Sequence, residues 1–246
     1  MPTLKRVALV IETSNEYARG LLHGVRQYIR RHESWSIFLG EHSRGHTDVS
    51  WLKTFEGDGI IARIENARIA EAVLATGLPA VDLSAARIAT QLPMVETDDD
   101  AFAKLAADHL LERGLTHFAF VGDSRFAWSR NREKRFVKRV DRAGHECATF
   151  AAPGGRQRKR PRTTQEEIES LARWLESLPR PIGVMAAYDI RGRQVLEACR
   201  MSNLHVPDDV AVIGVDNDEL LCDLADPPLT SVAPDTDRTG YVAAEL

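Results

Sequence analysis

Short apolar runs alternate with amphipathic segments along almost the whole chain, and this alternation limits the possible folds more than any other feature. The apolar runs are rich in β-branched or aromatic residues and are bounded by Gly, Pro, Asp or Asn. They are RVALVI, WSIFLG, DGIIARI, LPAVDL, HFAFVG, CATFAA, IGVMAAY and VAVIGVD. Runs of this length and composition are typical of parallel strands that are buried on both faces.

The segments between these runs have helical periodicity. They include YARGLLHGVRQYIRR, AFAKLAADHLLERG, TTQEEIESLARWLESL and IRGRQVLEACRMSN. The second of them puts Phe102, Leu105, His109 and Leu110 on one predicted face, and Gly114 is a natural helix end. Strand–helix alternation over the whole length predicts an α/β protein with right-handed crossovers.

Two features favour two doubly wound parallel-sheet lobes joined by a hinge. The stretch QLPMVETDDD, residues 91–100, predicts a short strand that closes a first lobe. The tail from Pro227, PPLTSVAPDTDRTGYVAAEL, predicts a crossing back to that lobe. We therefore expect an N-terminal lobe over residues 1–115 with a return segment at 231–246, and a C-terminal lobe over 116–230. Because the tail stops inside a predicted helix, we expect a fragment or a shortened protein.

Composition and charge exclude several classes of protein. The 246 residues are 43% hydrophobic and 28% charged, which is typical of a globular protein, and a net charge of -4 argues against a predominantly electrostatic nucleic-acid binder. No apolar run is long enough to cross a bilayer, and the N-terminal run VALVI is too short for a signal peptide, so we expect a cytoplasmic protein. The basic segment APGGRQRKRPRTTQEE is interpreted as a solvated loop rather than a nucleic-acid site.

Polar residues directly after the apolar runs are the candidates for a binding site, because ligands of α/β sheets bind at the carboxyl ends of the strands. These residues mix carboxylates, guanidinium groups and aromatic rings, which suits a polyhydroxylated ligand. They include Glu12, Tyr17, Arg19, Arg63, Asp82, Asp98, Asp99, Asp123, Trp128, Arg132, Tyr188, Asp189, Asp216 and Asn217.

Motifs of enzymes, cofactors and metals are absent from the sequence. There is no Gly-rich phosphate loop, no dinucleotide-binding motif, no nucleophile elbow and no zinc-protease motif. The acidic stretch DNDE resembles part of a calcium loop, but Leu221 and Pro227 stand where that loop needs Gly and Glu. The three cysteines lie far apart, so neither disulfides nor a zinc site are predicted. We therefore expect no catalysis, no cofactor and no metal.

Longer phrases of the sequence resemble a known family. VETDDDAFAKLAADHLLERGLTHFAFVGD, then Arg132 four residues before Phe136, then AAYDIRGRQVLEA and VPDDVAVIGVDNDELLCDLADPPLTSV, are similar to the effector-binding core of the lactose/galactose-repressor family. That core has the fold of type I periplasmic-binding proteins. The likeness runs from about residue 5 to the end of the chain and extends to its xylose-regulator group, which carries an AraC-type DNA-binding domain after the core.

The resemblance implies a function and a set of site residues. It implies a cytoplasmic transcriptional regulator, expected to be a homodimer, that binds a monosaccharide such as D-xylose between its lobes. Sugar binding is expected to change the dimer geometry and thereby control operator DNA through a C-terminal domain absent from this chain. The implied contacts are Arg132 as donor and Asp189 and Asp216 as acceptors, with further ligand-binding candidates Tyr17, Arg19, Arg63, Asp98 and Trp128.

The sequence leaves four points open: the exact sugar, the role of Trp128, the partner of Arg132 and the class of protein. Arg63 stands where an acidic residue is expected in close xylose regulators, so the exact sugar is not fixed. Trp128 either stacks on the sugar or packs in the core, and Arg132 could instead pair with Asp123 or Glu133. A sugar-binding protein of a transport system, with the same fold, is the alternative function, and an enzyme on an α/β sheet is a third class.

Overall fold

The computed structural model describes residues 4–40, 48–150 and 163–246, so the predicted basic loop around residues 156–162 lies outside the described residues. The chain divides into two compact units. Unit 1 comprises Met1–Thr97, Phe126–Trp128 and Asp235–Leu246, and unit 2 comprises Asp98–Arg125 and Ser129–Pro234. This division differs from the expected one, because residues 98–115 and 231–234 group with unit 2 and residues 126–128 group with unit 1.

Unit 1 is a four-stranded parallel sheet with the strand order β2-β1-β3-β4. Three of the strands come from runs whose side chains are almost all buried, as expected for parallel strands covered on both faces. The strands are β1 (Lys5–Val10), β2 (Trp35–Leu39), β3 (Gly59–Ala62) and β4 (Ala80–Asp82). The helices are α1 (Glu16–Arg31), a 3-10 turn (Ser50–Thr54), α2 (Ala67–Leu74) and α8 (Thr236–Glu245).

Helix α8, formed by the end of the chain, packs tightly against α1. Glycines on both helices allow this approach. A Cβ atom on Gly24 would collide with the backbone of Asp237 and Tyr241, and one on Gly240 would collide with the backbone of Leu21. The tail therefore returns to unit 1, as predicted, and its helix completes the layer on one face of the sheet.

Unit 2 is a five-stranded parallel sheet with the strand order β6-β5-β7-β8-β9. Its strands are β5 (His117–Val121), β6 (Cys147–Phe150), β7 (Ile182–Ala186), β8 (Val210–Val215) and β9 (Thr230–Val232). Its helices are α3 (Asp99–Leu111), α4 (Ala127–Arg142), α5 (Thr164–Glu176), α6 (Asp189–Met201) and α7 (Glu219–Asp223). Each of the eight apolar runs forms a strand, and the predicted α/β fold is confirmed.

Helix α3 belongs to unit 2 because its apolar face packs on the second sheet. The side chain of Leu110 lies so close to Gly183 of β7 that a Cβ atom there would be 3.0 Å from it. Leu105 does not share this face, contrary to the prediction, and is 55% exposed. Helix α3 was expected to belong to the first lobe, whereas its contact with β7 places it in unit 2.

The predicted strand within residues 91–100 does not form. A single bridge joins Met94 to Asp82, and the chain then enters α3 at Asp99. The run MVET is too short for a ladder, and it leads directly to Asp98, whose side chain accepts hydrogen bonds from the backbone N–H groups of Asp100 and Ala101. This cap starts the helix and ends any strand before it.

Candidate functional site

Each sheet reverses its strand order at one point, and in open α/β sheets such a point opens a crevice at the carboxyl ends of the strands. In unit 1 the reversal lies between β1 and β3, and in unit 2 it lies between β5 and β7. The segments that follow these strands hold most of the predicted site residues. We describe the two groups separately.

In unit 2 the central group is the guanidinium of Arg132, on α4, which is 3% exposed. Its Nε donates to Asp99 Oδ1 at 3.0 Å and its Nη1 donates to the carbonyl oxygen of Ala187 at 2.6 Å. Its Nη1 also lies 3.6 Å from Asp216 Oδ1, an ion pair longer than a hydrogen bond. Arg132 thus pairs with Asp99 and Asp216 rather than with Asp123 or Glu133. A buried cation between two acids can present polar atoms to a ligand without an excess of positive charge.

Asp216 follows the last residue of β8 and has an unusual backbone conformation. Its φ is 109°, and that of Asn217 is 50°, so two consecutive non-glycine residues lie in the left-handed region. Such strain is commonly found at functional sites. Asp218, next in the chain, caps α7 by accepting a hydrogen bond from the N–H of Leu221 at 3.3 Å. Capping by Asp218 rather than Asp216 agrees with the assignment of Asp216 to the site.

Asp189, the first residue of α6, is 1% exposed and lies among other acids. The pKa of Asp189 is raised to about 7. Burial is the main cause, the hydrogen bond from Ser231 opposes it, and the negative charge of Asp216 adds to the rise. Its Oδ1 accepts from Ser231 Oγ at 2.5 Å and its Oδ2 accepts from the N–H of Asp218 at 2.7 Å. Asp189 therefore lies near Asp216, which in turn lies beside Arg132, and sugar contacts by the three residues stay a prediction.

A second charged cluster of unit 2 surrounds Asp123, at the end of β5. Arg125 donates to both carboxylate oxygens of Asp123, at 2.9 and 2.5 Å, and Arg191 lies 3.6 Å from it. Burial alone would raise the pKa of Asp123, but the hydrogen bonds from Arg125 hold it below its ordinary value. Arg191 also donates to Glu167 at 2.9 Å. This network fixes the β5–α4 loop that leads to Arg132.

In unit 1 the central group is Arg63, which follows β3 and is 6% exposed. Its Nη1 donates to Glu12 at 2.7 Å and its Nη2 donates to Glu65 at 2.6 Å. The guanidinium lies 5.0 Å from the ring centroid of Tyr17, a cation–π arrangement. Burial alone would lower the pKa of Arg63, but the charges of Glu12 and Glu65 raise it above its ordinary value. The cluster carries one more negative than positive charge.

Next to this cluster, Asp82 ends β4 and is 1% exposed. Its Oδ1 accepts from the N–H groups of Ile64 and Ser84, at 3.1 and 2.8 Å. Burial raises the pKa of Asp82 to about 6, even though these hydrogen bonds oppose the shift. Asp82 holds the segment after β3 in place.

The other predicted site residues contact other groups of the protein. Tyr17 is buried, and its hydroxyl lies 3.0 Å from Thr97 Oγ1. Arg19 pairs with Glu16 at 2.8 Å on the half-exposed face of α1. The indole of Trp128 is 8% exposed and stacks on Phe126, with ring centroids 5.2 Å apart. Asp98 caps α3. Sugar contacts by these four residues stay predictions.

The sequence does not mark every residue of these clusters. Asp99 is one of the polar candidates, but the sequence does not distinguish its role from that of its neighbour Asp98. Glu65 lies two residues beyond Arg63, and only the fold shows that the Glu65 carboxylate turns back toward the Arg63 guanidinium. Ser231 lies in the phrase LTSV, where nothing but its polarity marks it.

The part of the chain that the structure describes contains neither a metal-binding cluster nor a membrane-spanning helix. Over residues 4–40, 48–150 and 163–246, no group of three or more His, Cys, Asp or Glu side chains could hold a metal ion. Within the same ranges no helix has the length and apolar character needed to cross a membrane. The cysteines at 147, 199 and 222 form no disulfide, and burial raises the pKa of each thiol to about 12.

Comparison with known families separates the chain into two matching parts. Residues 107–246 match the model of a periplasmic binding protein-like domain, and residues 6–99 match the model of the XylR N-terminal domain. The first match covers more than half of the chain. The chain belongs to the periplasmic-binding-protein-like family. The α/β units with parallel sheets described above are the two halves of this family's fold.

Similar proteins of this family are transcriptional regulators. The chain is 31% identical to the xylose operon regulatory protein of Haemophilus influenzae, over 98% of the chain and 63% of the relative. It is 32% identical to that of Escherichia coli K12, over 98% and 62%. The structure of the xylose-binding transcription activator XylR is similar with a TM-score of 0.83 and 29% identity, covering 99% of this chain and 62% of that one.

These comparisons confirm the resemblance seen in the sequence. The chain spans about 62% of the length of the relatives it matches in Escherichia coli and about 63% in Haemophilus influenzae. A regulator of the LacI family from Bifidobacterium animalis has the same fold, with a TM-score of 0.74 at 21% identity. The relatives are regulators and not enzymes, so the expectation of a binding function rather than catalysis agrees with them.

Proposed function

We propose that the chain is the sugar-sensing part of a bacterial transcriptional regulator and that its effector is a pentose such as D-xylose. The observation that carries the proposal is the buried Arg132, held between Asp99 and Asp216 at the carboxyl ends of the unit 2 strands. A guanidinium donates to sugar hydroxyls and a carboxylate accepts from them. The names of the relatives, which refer to xylose, support the choice of sugar.

The charges of the two clusters support an uncharged ligand. Arg132 has two acidic partners, Asp99 and Asp216, and Arg63 also has two, Glu12 and Glu65, so each cluster has one more negative than positive formal charge. Neither guanidinium brings an excess of positive charge that would compensate a carboxylate or a phosphate on the ligand. A neutral polyol can form hydrogen bonds with these groups at a lower electrostatic cost than an anionic ligand. Tyr17, Arg19, Asp98 and Trp128 remain proposed contacts of lower rank, since each already has a partner within the protein.

The regulatory part of the proposal concerns the longer protein. We propose that it acts as a cytoplasmic homodimer and that sugar binding changes its geometry and thereby its hold on operator DNA. A ligand shifts such an equilibrium only by its difference in affinity for the two states, typically about 1–3 kcal/mol. Sedimentation velocity with and without D-xylose tests the dimer on this chain. A monomer under both conditions would refute a dimer formed by these residues.

Thermal unfolding of the chain against a panel of sugars tests the proposed effector. The panel contains D-xylose, L-arabinose, D-ribose, D-glucose and D-galactose, each at several concentrations. Binding stabilises the folded chain by RT ln(1 + [L]/Kd), so an effector raises the melting temperature in proportion to the logarithm of its concentration. We expect a selective rise with a pentose, and equal, negligible shifts with all five would refute the proposal. Glucose 6-phosphate and xylonate serve as anionic controls that should not bind.

A further inference from the structure

In the turn formed by Asp216, Asn217 and Asp218, the first two residues are left-handed, and the backbone N–H group of each of the three residues donates a hydrogen bond. The N–H of Asp216 donates to the carbonyl oxygen of Val232 at 3.1 Å. The N–H of Asn217 donates to Ser231 Oγ at 3.0 Å, and that of Asp218 donates to Asp189 Oδ2 at 2.7 Å. Residues with positive φ persist only where the surroundings fix them, and here β9 and Asp189 do so.

Ser231 and Asp189 form one connected unit under this turn. Ser231 Oγ accepts from the N–H of Asn217 and donates to Asp189 Oδ1 at 2.5 Å. Asp189 therefore uses both carboxylate oxygens on protein groups. The Asp189 side chain packs closely against β8, because a Cβ atom on Gly214 would collide with Asp189 Oδ1. A carboxylate enclosed in this way is oriented toward the turn rather than toward an external ligand.

We propose that Ser231 and Asp189 are positioning residues, which hold the turn so that the carboxylate of Asp216 faces Arg132, and that they do not touch the sugar. This inference rests on the proposed function, since it assigns roles within the same site. It replaces the expected role of Asp189 as a sugar acceptor. It also assigns a role to Ser231, for which the sequence indicates none.

If Asp189 holds the turn, sugar affinity should depend on pH. The charged and titratable groups around Asp189 are Asp216 after β8, Asp218 before α7, Cys222 on α7 and, beyond Asp216, Arg132 on α4. Ionised Asp189 accepts both hydrogen bonds, whereas protonation turns one acceptor into a donor and weakens the turn. Sugar affinity should therefore fall as the pH decreases through the pKa of Asp189, by up to about tenfold per pH unit.

Two variants and one control test the proposal by calorimetry with D-xylose between pH 5.5 and 8.5. Ser231→Ala removes the bond that lowers the pKa of Asp189, so the midpoint of the affinity profile should move to higher pH, and affinity at pH 7 should fall about tenfold. Ser231→Thr keeps the hydroxyl and should restore both. Asp189→Asn should weaken binding and abolish the pH dependence. Ser177→Ala, an exposed serine at the end of α5, should change nothing.

Amide hydrogen exchange of residues 216–218 without sugar separates this inference from the proposed function. We expect faster exchange at these residues in Ser231→Ala and Asp189→Asn than in the wild type, with circular dichroism unchanged. Unchanged protection in both variants would overturn the positioning role, whether or not the wild type binds D-xylose. A second pattern would also overturn the positioning role. In it, Asp189→Asn binds the sugar more weakly, while Ser231→Ala has unchanged amide exchange and an unshifted pH profile. This pattern would indicate that Asp189 contacts the sugar directly. A wild type that binds no sugar refutes only the proposed function.

Discussion

Replacing the buried Asp82 by asparagine should stabilise the protein at alkaline pH, although a charged and hydrogen-bonded group is lost. Both hydrogen bonds to Asp82, from Ile64 and Ser84, reach its Oδ1. Asparagine offers an amide oxygen at the same place and carries no charge. The fold therefore keeps its contacts and no longer has to bury a carboxylate.

The magnitude follows from the pKa. The ordinary value is 3.8, and burial raises the pKa of Asp82 to about 6 in the folded state. Because the folded state binds the proton of Asp82 more tightly than the unfolded state, the contribution of Asp82 to stability is greatest below pH 3.8 and is lost as the pH rises through about 6. At about 1.4 kcal/mol per pKa unit, burying the Asp82 carboxylate lowers the free energy of unfolding by about 3 kcal/mol at pH 8 and by about half of that at pH 5.

Urea unfolding at pH 5, 6.5 and 8 measures this penalty. We expect Asp82→Asn to have a higher free energy of unfolding than the wild type at pH 8, and the difference to shrink toward pH 5 with an unchanged denaturant slope. Glu71→Gln, on the exposed face of α2, is the matched control and should show no such trend. A variant that is less stable than the wild type at pH 8, or a difference that does not depend on pH, would refute the reasoning.

Three further changes test the packing and the charges. Gly24→Ala should lower the free energy of unfolding by about 1–3 kcal/mol in urea, although alanine favours helices, because its Cβ meets the backbone of α8. Arg132→Leu leaves Asp99 and Asp216 buried without their cation and should cost about 3–5 kcal/mol in the same assay, with partial rescue by lysine. Asp218→Ala removes the α7 cap, so amide exchange in α7 should indicate a loss of about 1 kcal/mol. Unchanged values would contradict each expectation.

The strands and most helices could be predicted because burial on both faces of a parallel sheet demands continuous apolar runs. VAVIGV and HFAFV carry this signal without any knowledge of their neighbours. The short run MVET has the same composition but forms only a bridge, since nothing in the sequence shows that the cap at Asp98 follows at once. Leu105 fits a helical apolar stripe and is nevertheless exposed. Local pattern identifies an element, whereas its partner is decided by contacts distant in sequence.

The same pattern indicates candidates for the site. Arg132, Asp189 and Asp216 each come after an apolar run, and the ends of parallel strands converge, but the choice of these three as sugar contacts is implied by the family resemblance and stays a prediction. Their pairing could not be predicted, because Asp98 and Asp99 are adjacent and only the helix start decides which one faces Arg132. The role of Ser231 depends on one hydroxyl that meets two groups from different segments. No spacing in the sequence indicates such a contact.

Calorimetric titration of the chain with D-xylose, in the wild type and in Asp216→Asn, tests the sugar-sensing role most directly. Asparagine tolerates the left-handed backbone of residue 216 but removes the charge of the acceptor. We predict saturable binding of one sugar by the wild type and a loss of affinity of at least about fivefold in Asp216→Asn, because hydrogen bonds to a charged acceptor are the stronger ones. Asp223→Asn, an exposed acid on α7, should bind like the wild type. Equal affinity of Asp216→Asn and the wild type would contradict the role of this turn, and no binding of any pentose by the wild type would contradict the sugar-sensing function itself.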